Sequence, residues 1–162
     1  MSASPVTPDA GPTRPASPVA PDAGTGLTLT PDQWAAMVAH CLAAYPEEGC
    51  GLLGGDPHSG QVGTVFPTAN AAASARVYTV DPRDHLRADR AAEDAGQSII
   101  GVFHSHTHTD AYPSDTDTRQ APDPTWHYVL VSLRDTHPVV RSYRVVDGTV
   151  AEEVVRLVPP AG

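Results

Sequence analysis

The chain has 162 residues, which is enough for one domain with its own hydrophobic core, and its formal net charge at pH 7 is −9. This acidic balance argues against a nucleic-acid or anionic-membrane partner, because both favour basic protein surfaces. The sequence contains neither a run of about eighteen apolar residues nor a secretory signal, so neither a membrane span nor export is predicted. Two cysteines do not make a disulfide framework, which indicates a cytoplasmic protein.

The N-terminal segment is rich in proline, alanine, serine, threonine, aspartate and glycine, and it contains an imperfect repeat. The stretch ASPVTPDAG at 3–11 returns as ASPVAPDAG at 16–24. Such a composition cannot bury enough apolar surface to offset the entropy that ordering would cost. We therefore predict a disordered tail over residues 1–26, one folded domain over residues 27–158 and a short C-terminal tail over residues 159–162.

Two helices are predicted from capping residues, proline positions and apolar periodicity. The first begins after Thr30, and its apolar residues recur at helical spacing until Pro46 ends it. The second begins after Asp81 and ends at Gly96. In both, a proline follows the capping residue at the first helical position, where its missing N–H costs nothing.

Short apolar or alternating segments between turn signals predict six strands. They lie at 50–55, 61–67, 98–106, 127–133, 139–146 and 149–158. The Asp147–Gly148 dipeptide is a hairpin signal that joins the last two. Strands and helices in this mixed order predict an α/β fold, in which a mixed β-sheet is flanked by helices.

Two histidines close the predicted strand at 98–106. His104 and His106 lie two positions apart, so their imidazoles face the same side of the sheet. They come at the C-terminal end of the strand, where the sites of α/β sheets usually lie. Catalytic zinc typically uses three protein ligands and leaves the fourth position to water, so a third ligand is expected.

A carboxylate is the natural third ligand, and three are near in sequence: Asp110, Asp115 and Asp117. Asp117 fits best, because PSDTD at 113–117 has the composition of a helix start with Ser114 at the cap. An aspartate in the first turn of that helix can reach back toward the strand end.

The spacing of these residues resembles the metal motif of the JAMM/MPN-plus zinc isopeptidases. That motif is H-x-H, seven residues, Ser, two residues, Asp, and it is matched by His104, His106, Ser114 and Asp117. A second family element, Glu-x-Cys-Gly before an apolar strand, is matched by EGCG at 48–51. The resemblance covers most of the folded domain and implies a layer architecture similar to that of the cytidine deaminases, although their P-C-x-x-C motif is absent.

The resemblance implies a role for each matched residue. His104, His106 and Asp117 would hold one zinc ion per chain. Glu48 would take a proton from the attacking water and pass it to the leaving amine, and Ser114 would donate a hydrogen bond to the developing oxyanion. This is the chemistry of an amidase, since zinc acidifies water and polarises a carbonyl while a carboxylate serves as base.

Three positions have alternative interpretations. If the strand continued, His108 would share the face of the two motif histidines and compete with Asp117 as third ligand. The family leaves this position variable, and we predict that His108 lies in a loop at the rim of the cleft. Ser114 could act only as a helix cap. Glu47 neighbours the expected base, but the Glu-x-Cys-Gly register selects Glu48.

The folded domain, at about 130 residues, has no room for the long loops with which members that cleave ubiquitin chains grip a second ubiquitin. It resembles the compact bacterial branch, similar to Mec-type hydrolases, through HSHTHTDAYPSDTD at 104–117 and YPEEGCG at 45–51. The resemblance implies hydrolysis of the amide bond after the C-terminal Gly-Gly of a ubiquitin-like sulfur-carrier protein. Cysteine would be released, or the tail trimmed so that a thiocarboxylate can form.

Two other functions stay open at this point. One is an MPN-type scaffold module for protein assemblies, which would lack the metal-binding residues that this chain has. The other is a zinc hydrolase of a small amide or peptide.

Overall fold

The computed structural model describes residues 26–160, so the tail predicted for residues 1–26 falls, but for Gly26, outside the described residues. The described part contains three helices and eight strands. In chain order they are β1 (Leu27–Leu29), α1 (Pro31–Ala44), β2 (Cys50–Asp56), β3 (Gln61–Thr68), α2 (Pro82–Asp94), β4 (Ser98–His106), α3 (Asp115–Arg119), β5 (His127–Ser132), β6 (Val139–Val146), β7 (Thr149–Glu153) and β8 (Val155–Leu157).

The strands form one mixed sheet in the order β7-β6-β5-β4-β2-β3-β1-β8. At its centre β4 runs antiparallel to β2 and parallel to β5. The helices pack against this sheet, and the predicted α/β class with a mixed sheet is therefore confirmed.

The strand predicted at 149–158 is two strands in the structure, which corrects the sequence-based expectation. β7 pairs with β6 at one edge of the sheet, and β8 pairs with β1 at the other. Only Val154 separates them, and its carbonyl oxygen accepts a hydrogen bond from the Leu27 N–H at 2.9 Å. The sheet therefore curls until its two edges meet near this residue. β1 was not predicted, because three residues are too few to show an alternating pattern.

The sheet buries side chains on both faces, which explains why its central strands are apolar throughout rather than alternating. In β2, Leu53 belongs to the core that includes Met37 and Cys41 of α1. Its neighbour Leu52 belongs to the second core, which includes Ala88 of α2. The two long helices therefore cover opposite faces, and the sheet is the middle of three layers.

The capping residues begin both long helices where the sequence predicts. The Thr30 hydroxyl accepts from the Gln33 N–H at 3.2 Å, while the Gln33 side chain accepts from the Thr30 N–H at 2.9 Å, which is a capping box. Asp81 caps α2, and Gly96 follows its end with a φ of +69° in the left-handed region. Among the described helices, none has both the length and the apolar character needed to cross a membrane.

Candidate active site

The two motif histidines lie at the C-terminal end of β4, as predicted. Strand alternation turns both imidazoles to one side, and their Nε2 atoms are 3.2 Å apart. Ser105 between them points the other way, and its Oγ accepts a hydrogen bond from the Gly49 N–H at 2.8 Å. The Ser105 N–H donates to the Gly49 carbonyl oxygen at 2.9 Å. These two bonds tie the end of β4 to the segment that carries Glu48.

Asp117 completes a group of three potential ligands. Its Oδ2 lies 3.2 Å from His104 Nε2 and 3.0 Å from His106 Nε2. A capping box at the start of α3 produces this geometry: Ser114 Oγ accepts from the Asp117 N–H at 3.0 Å, and Asp117 Oδ2 accepts from the Ser114 N–H at 2.9 Å. The box directs the carboxylate back toward the strand end, and the three residues could hold a metal ion.

The spacing and chemistry of the three ligand atoms fit a small tetrahedral metal site. Ligands held about 2.1 Å from a tetrahedral zinc ion lie about 3.4 Å apart, so a small expansion of the 3.0–3.2 Å spacing is enough. His106 Nδ1 donates to the Asp110 carbonyl oxygen at 2.9 Å, which leaves Nε2 free to bind a metal. The Tyr78 ring stacks on His104 with 4.0 Å between centroids and fixes its plane.

The protonation states of the group also suit a metal. Burial lowers the pKa of His104, which favours the neutral imidazole. Burial alone would raise the pKa of Asp117, but hydrogen bonds from His104 and His106 bring it well below its ordinary value. Burial likewise would lower the pKa of His106, and the hydrogen bond to Asp117 raises it instead. Asp117 is therefore an anionic ligand and His104 a neutral one, and a metal that binds would displace the proton that Asp117 favours on His106.

Glu48 lies beside this group because of the pairing between β2 and β4. Cys50 faces His104 across the two antiparallel strands, so Glu48, two residues before Cys50, comes opposite His106, two residues after His104. Glu48 is 3% exposed, and its Oε2 has no hydrogen-bond partner among the described residues. Burial raises the pKa of Glu48 to about 7; His106 opposes this shift and Asp117 adds to it. A buried oxygen left unpaired is costly, and it is available to a water molecule or a substrate proton.

A cleft of about 510 Å³ opens onto these residues. Its lining consists of Glu48, Ala75, Arg76, His106, Thr107, His108, Thr109 and Ser114. The Ser114 hydroxyl does cap α3, as the simpler alternative supposed. A hydroxyl that accepts a hydrogen bond still has its own hydrogen to donate, so capping is compatible with donation into the cleft.

The other residues considered from the sequence lie apart from the three-residue group. β4 ends at His106, and His108 is exposed in the following loop, at the rim of the cleft. The Asp110 carboxylate is exposed and forms an ion pair with Arg134 at 2.8 Å. Both Asp115 and Glu47 are exposed. The H-x-H-x-H alternative for a third ligand therefore has no support in the geometry.

Sequence reasoning missed Asn70, which organises the chain around Glu48. Its Nδ2 donates to the carbonyl oxygens of Glu48 at 3.0 Å and Val77 at 3.1 Å. Its Oδ1 accepts from the N–H groups of Ala72 at 3.0 Å and Thr79 at 2.9 Å. Asn70 is the only asparagine of the chain, and the preference of asparagine for turns was the available signal.

A mixed sheet that presents such a group at the end of one strand defines a class of hydrolytic enzymes, and comparison with known proteins identifies the family. The sequence model for prokaryotic homologs of the JAB domain matches residues 30–146, and the chain belongs to this family. The CysO-cysteine peptidase of Mycobacterium tuberculosis is 45% identical over 133 residues, which are 82% of this chain and 91% of that protein. The desampylase of Haloferax volcanii is 39% identical over 88 residues, 54% of this chain and 63% of that protein.

Solved structures agree with this assignment. A protein from Desulfitobacterium hafniense, 37% identical, superimposes with a TM-score of 0.77 over 83% of this chain and 94% of its own. A JAB1/MPN domain protein from Archaeoglobus fulgidus, 16% identical, has the same fold, with a TM-score of 0.51 over 80% of this chain and 95% of its own. The comparisons confirm the predicted family and the predicted class of enzyme, a peptidase.

Proposed function

We propose that this chain is a zinc-dependent peptidase that hydrolyses the amide bond after the C-terminal Gly-Gly of a ubiquitin-like sulfur-carrier protein. The observation that carries the proposal is the convergence of three ligand atoms, each within 3.2 Å of the others, beside the unpartnered Oε2 of Glu48. The similarity to CysO-cysteine peptidase, which extends over 82% of this chain, supports the substrate class.

The metal ligands in this proposal are His104, His106 and Asp117. Two imidazoles and one carboxylate, with a fourth position left open, are a donor set typical of catalytic zinc. When bound, zinc supplies Lewis acidity, which polarises a carbonyl and lowers the pKa of water. The contacts of the ligands with Asp110, Tyr78 and Ser114 keep their donor atoms in place before any ion arrives.

Glu48 is the proposed general base and then the general acid. Its Oε2 would accept a proton from the attacking water, and the carboxylic acid so formed would give that proton to the nitrogen of the leaving amine. A pKa raised to about 7 by burial suits a group that must both take up and release a proton near neutral pH.

Ser114 is the proposed oxyanion donor. Its hydroxyl would donate to the carbonyl oxygen of the scissile amide as negative charge develops there, and one such donor contributes about 3 kcal/mol. The hydrogen bond that Ser114 Oγ accepts from the Asp117 N–H holds the oxygen in place, so the donation requires only rotation of the hydroxyl hydrogen.

The proposed substrate tail suits a cleft that lies beside buried ligands. Glycines carry no Cβ, so their backbone can approach the site where a larger residue would meet the lining side chains. A folded carrier would supply binding energy away from the scissile bond, which can raise turnover. The two cysteines are free and buried, which supports a reducing compartment and hence the cytoplasm as the place of action.

Mass spectrometry tests the proposal directly. The zinc-loaded full chain should remove the terminal cysteine from a carrier that ends in Gly-Gly-Cys, with cleavage after the second glycine. Exchange of that glycine for valine in the carrier should nearly stop the reaction, and a free peptide with the same tail should react far more slowly. Equal rates for the carrier and the free peptide would contradict carrier recognition and favour a hydrolase of small peptides.

A further inference from the structure

An arginine without a partner lies in the lining of the same cleft. Arg76 is exposed, and its guanidinium makes no hydrogen bond or ion pair within residues 26–160. It is the only lining residue with a permanent positive charge. Several other arginines of the described chain are engaged, such as Arg134 with Asp110 and Arg141 with Glu152. A free guanidinium at the mouth of a cleft is therefore available to an anionic group of the substrate.

The backbone around Arg76 is fixed to the segment that carries the base. The Glu48 N–H donates to the Ser74 carbonyl oxygen at 2.8 Å, and the Ser74 hydroxyl accepts from the Arg76 N–H at 3.1 Å. Asn70 closes the same loop through its bonds to Glu48 and to Val77. Arg76 is therefore held close to Glu48 in space, although the two are far apart in sequence.

The charge balance of the site decides which substrate group Arg76 can receive. The carboxylates of Glu48 and Asp117 lie at the reacting centre, and the whole chain carries a net charge of −9. A substrate with one residue after Gly-Gly brings its own α-carboxylate to within one residue length, about 3.5 Å, of the scissile bond. The charge of a bound zinc ion would be offset by Asp117 and Glu48, which leaves Arg76 as the cation of the cleft lining that can receive this carboxylate.

On the basis of the proposed function, we propose that Arg76 binds the α-carboxylate of the residue that leaves. The planar guanidinium can engage a carboxylate through two parallel hydrogen bonds, which fixes the position of the leaving residue as well as its charge. Arg76 then selects substrates with a single residue after Gly-Gly. In an isopeptide conjugate the leaving amine belongs to a lysine side chain of another protein, and no free carboxylate lies at that distance.

A pair of matched substrates tests this role. One carrier ends in Gly-Gly-Cys with a free carboxylate, and the other ends in Gly-Gly-cysteinamide, which lacks only the charge. The zinc-loaded full chain should cleave the acid with a kcat/KM about tenfold above that of the amide. In Arg76→Ala the kcat/KM for the acid should fall to that for the amide, while the kcat/KM for the amide stays unchanged. Arg76→Lys should recover part of the difference.

The control variant is Arg90→Ala, which removes an exposed arginine from α2, outside the cleft lining, and should leave both rates unchanged. Equal rates of the wild-type protein on the acid and the amide would overturn the role of Arg76 while leaving carrier cleavage intact. If Arg76→Ala slowed both substrates to the same degree, Arg76 would contact the carrier and not the leaving residue. If the wild-type protein cleaved neither substrate, the proposed function itself would fail, and this inference with it.

Discussion

Two buried histidine–carboxylate clusters lie at opposite ends of the pairing between β4 and β5, and they differ in whether their polar atoms are satisfied. Near the end of β4, Glu48 keeps its Oε2 without a partner beside His106. At the start of β5, His127 Nδ1 is bonded to Glu153 Oε1, which also accepts from Ser142 Oγ at 2.7 Å. The second oxygen of Glu153 accepts from Arg144 Nε at 3.1 Å.

Burial of a carboxylate does not by itself identify a catalytic group. Glu48 and Glu153 are almost equally buried, at 3% and 5% exposed. Burial raises the pKa of Glu48 to about 7. Burial also acts to raise the pKa of Glu153, but the hydrogen bond from His127 and the other partners bring it below its ordinary value. The cluster of Glu153, whose carboxylate oxygens both have partners, joins β5, β6 and β7. The cluster of Glu48, which has an unpaired oxygen, faces a cleft.

Glu48→Gln should produce the largest effect on turnover. The amide cannot act as a base, so kcat should fall by about 10²–10⁴-fold, which is the usual contribution of general acid–base catalysis. The melting temperature should change little, because the substitution is isosteric and breaks no hydrogen bond at Oε2, which has no partner. Turnover and thermal unfolding of one preparation check both points. Full activity would assign the role of base to another residue, such as the neighbouring Glu47.

Glu153→Gln should give the opposite pattern. The substitution breaks a buried network, so the free energy of unfolding should fall by about 3 kcal/mol, while turnover per folded molecule stays near that of wild type. Urea denaturation measures the free energy of unfolding, and steady-state kinetics corrected for the folded fraction measure turnover. A large loss of turnover with normal stability would mean that the two clusters are coupled and that Glu153 is not purely structural.

The stability that Glu153 contributes should also depend on pH. Because its pKa is lower in the folded than in the unfolded chain, the contribution is fully present above the unfolded pKa, near ~4.3. It is lost as the pH falls through the folded value. The gap in unfolding free energy between wild type and Glu153→Gln should therefore be constant near neutral pH and shrink below about pH 4. A gap that widened in acid would contradict the direction of the shift.

Asn70→Ala should have a moderate effect on both stability and turnover. It removes four hydrogen bonds that close the loop beside Glu48, and the half-buried position should cost about 1–2 kcal/mol of unfolding free energy. Turnover should also fall, because the loop that lines the cleft loses its anchor. Asn70→Asp is the matched control, since it keeps the acceptor for Ala72 and Thr79 but loses the donor to Glu48. Wild-type turnover in both variants would show that the loop is held by other contacts.

Removal of residues 1–25 should have the smallest effect. The segment has no apolar periodicity and no motif residue, so the melting temperature and turnover should both stay close to those of the full chain. A clear loss of either would show that the repeat contacts the domain or its substrate.

The candidate site was more predictable than the edges of the fold, because its signals are local. His104 and His106 share one strand, and Ser114 with Asp117 forms one helical turn, so short-range spacing is enough to bring the groups together. At Val154 the chain passes from one edge of the sheet to the other, and the position of this change depends on how far the whole sheet curls. Nothing in the sequence TVAEEVVRLV indicates that position. The bonds of Asn70 likewise depend on a loop that closes only in the folded chain.

Zinc content shows whether the three residues beside the proposed base form a metal site. After equilibration with zinc and removal of the unbound ion, the wild-type protein and Glu48→Gln should each hold about one equivalent, while His104→Ala should hold far less. This result would assign His104 to the metal and Glu48 to proton transfer. If His104→Ala bound as much zinc as wild type, or if Glu48→Gln lost its zinc, the assignment of these residues would be wrong.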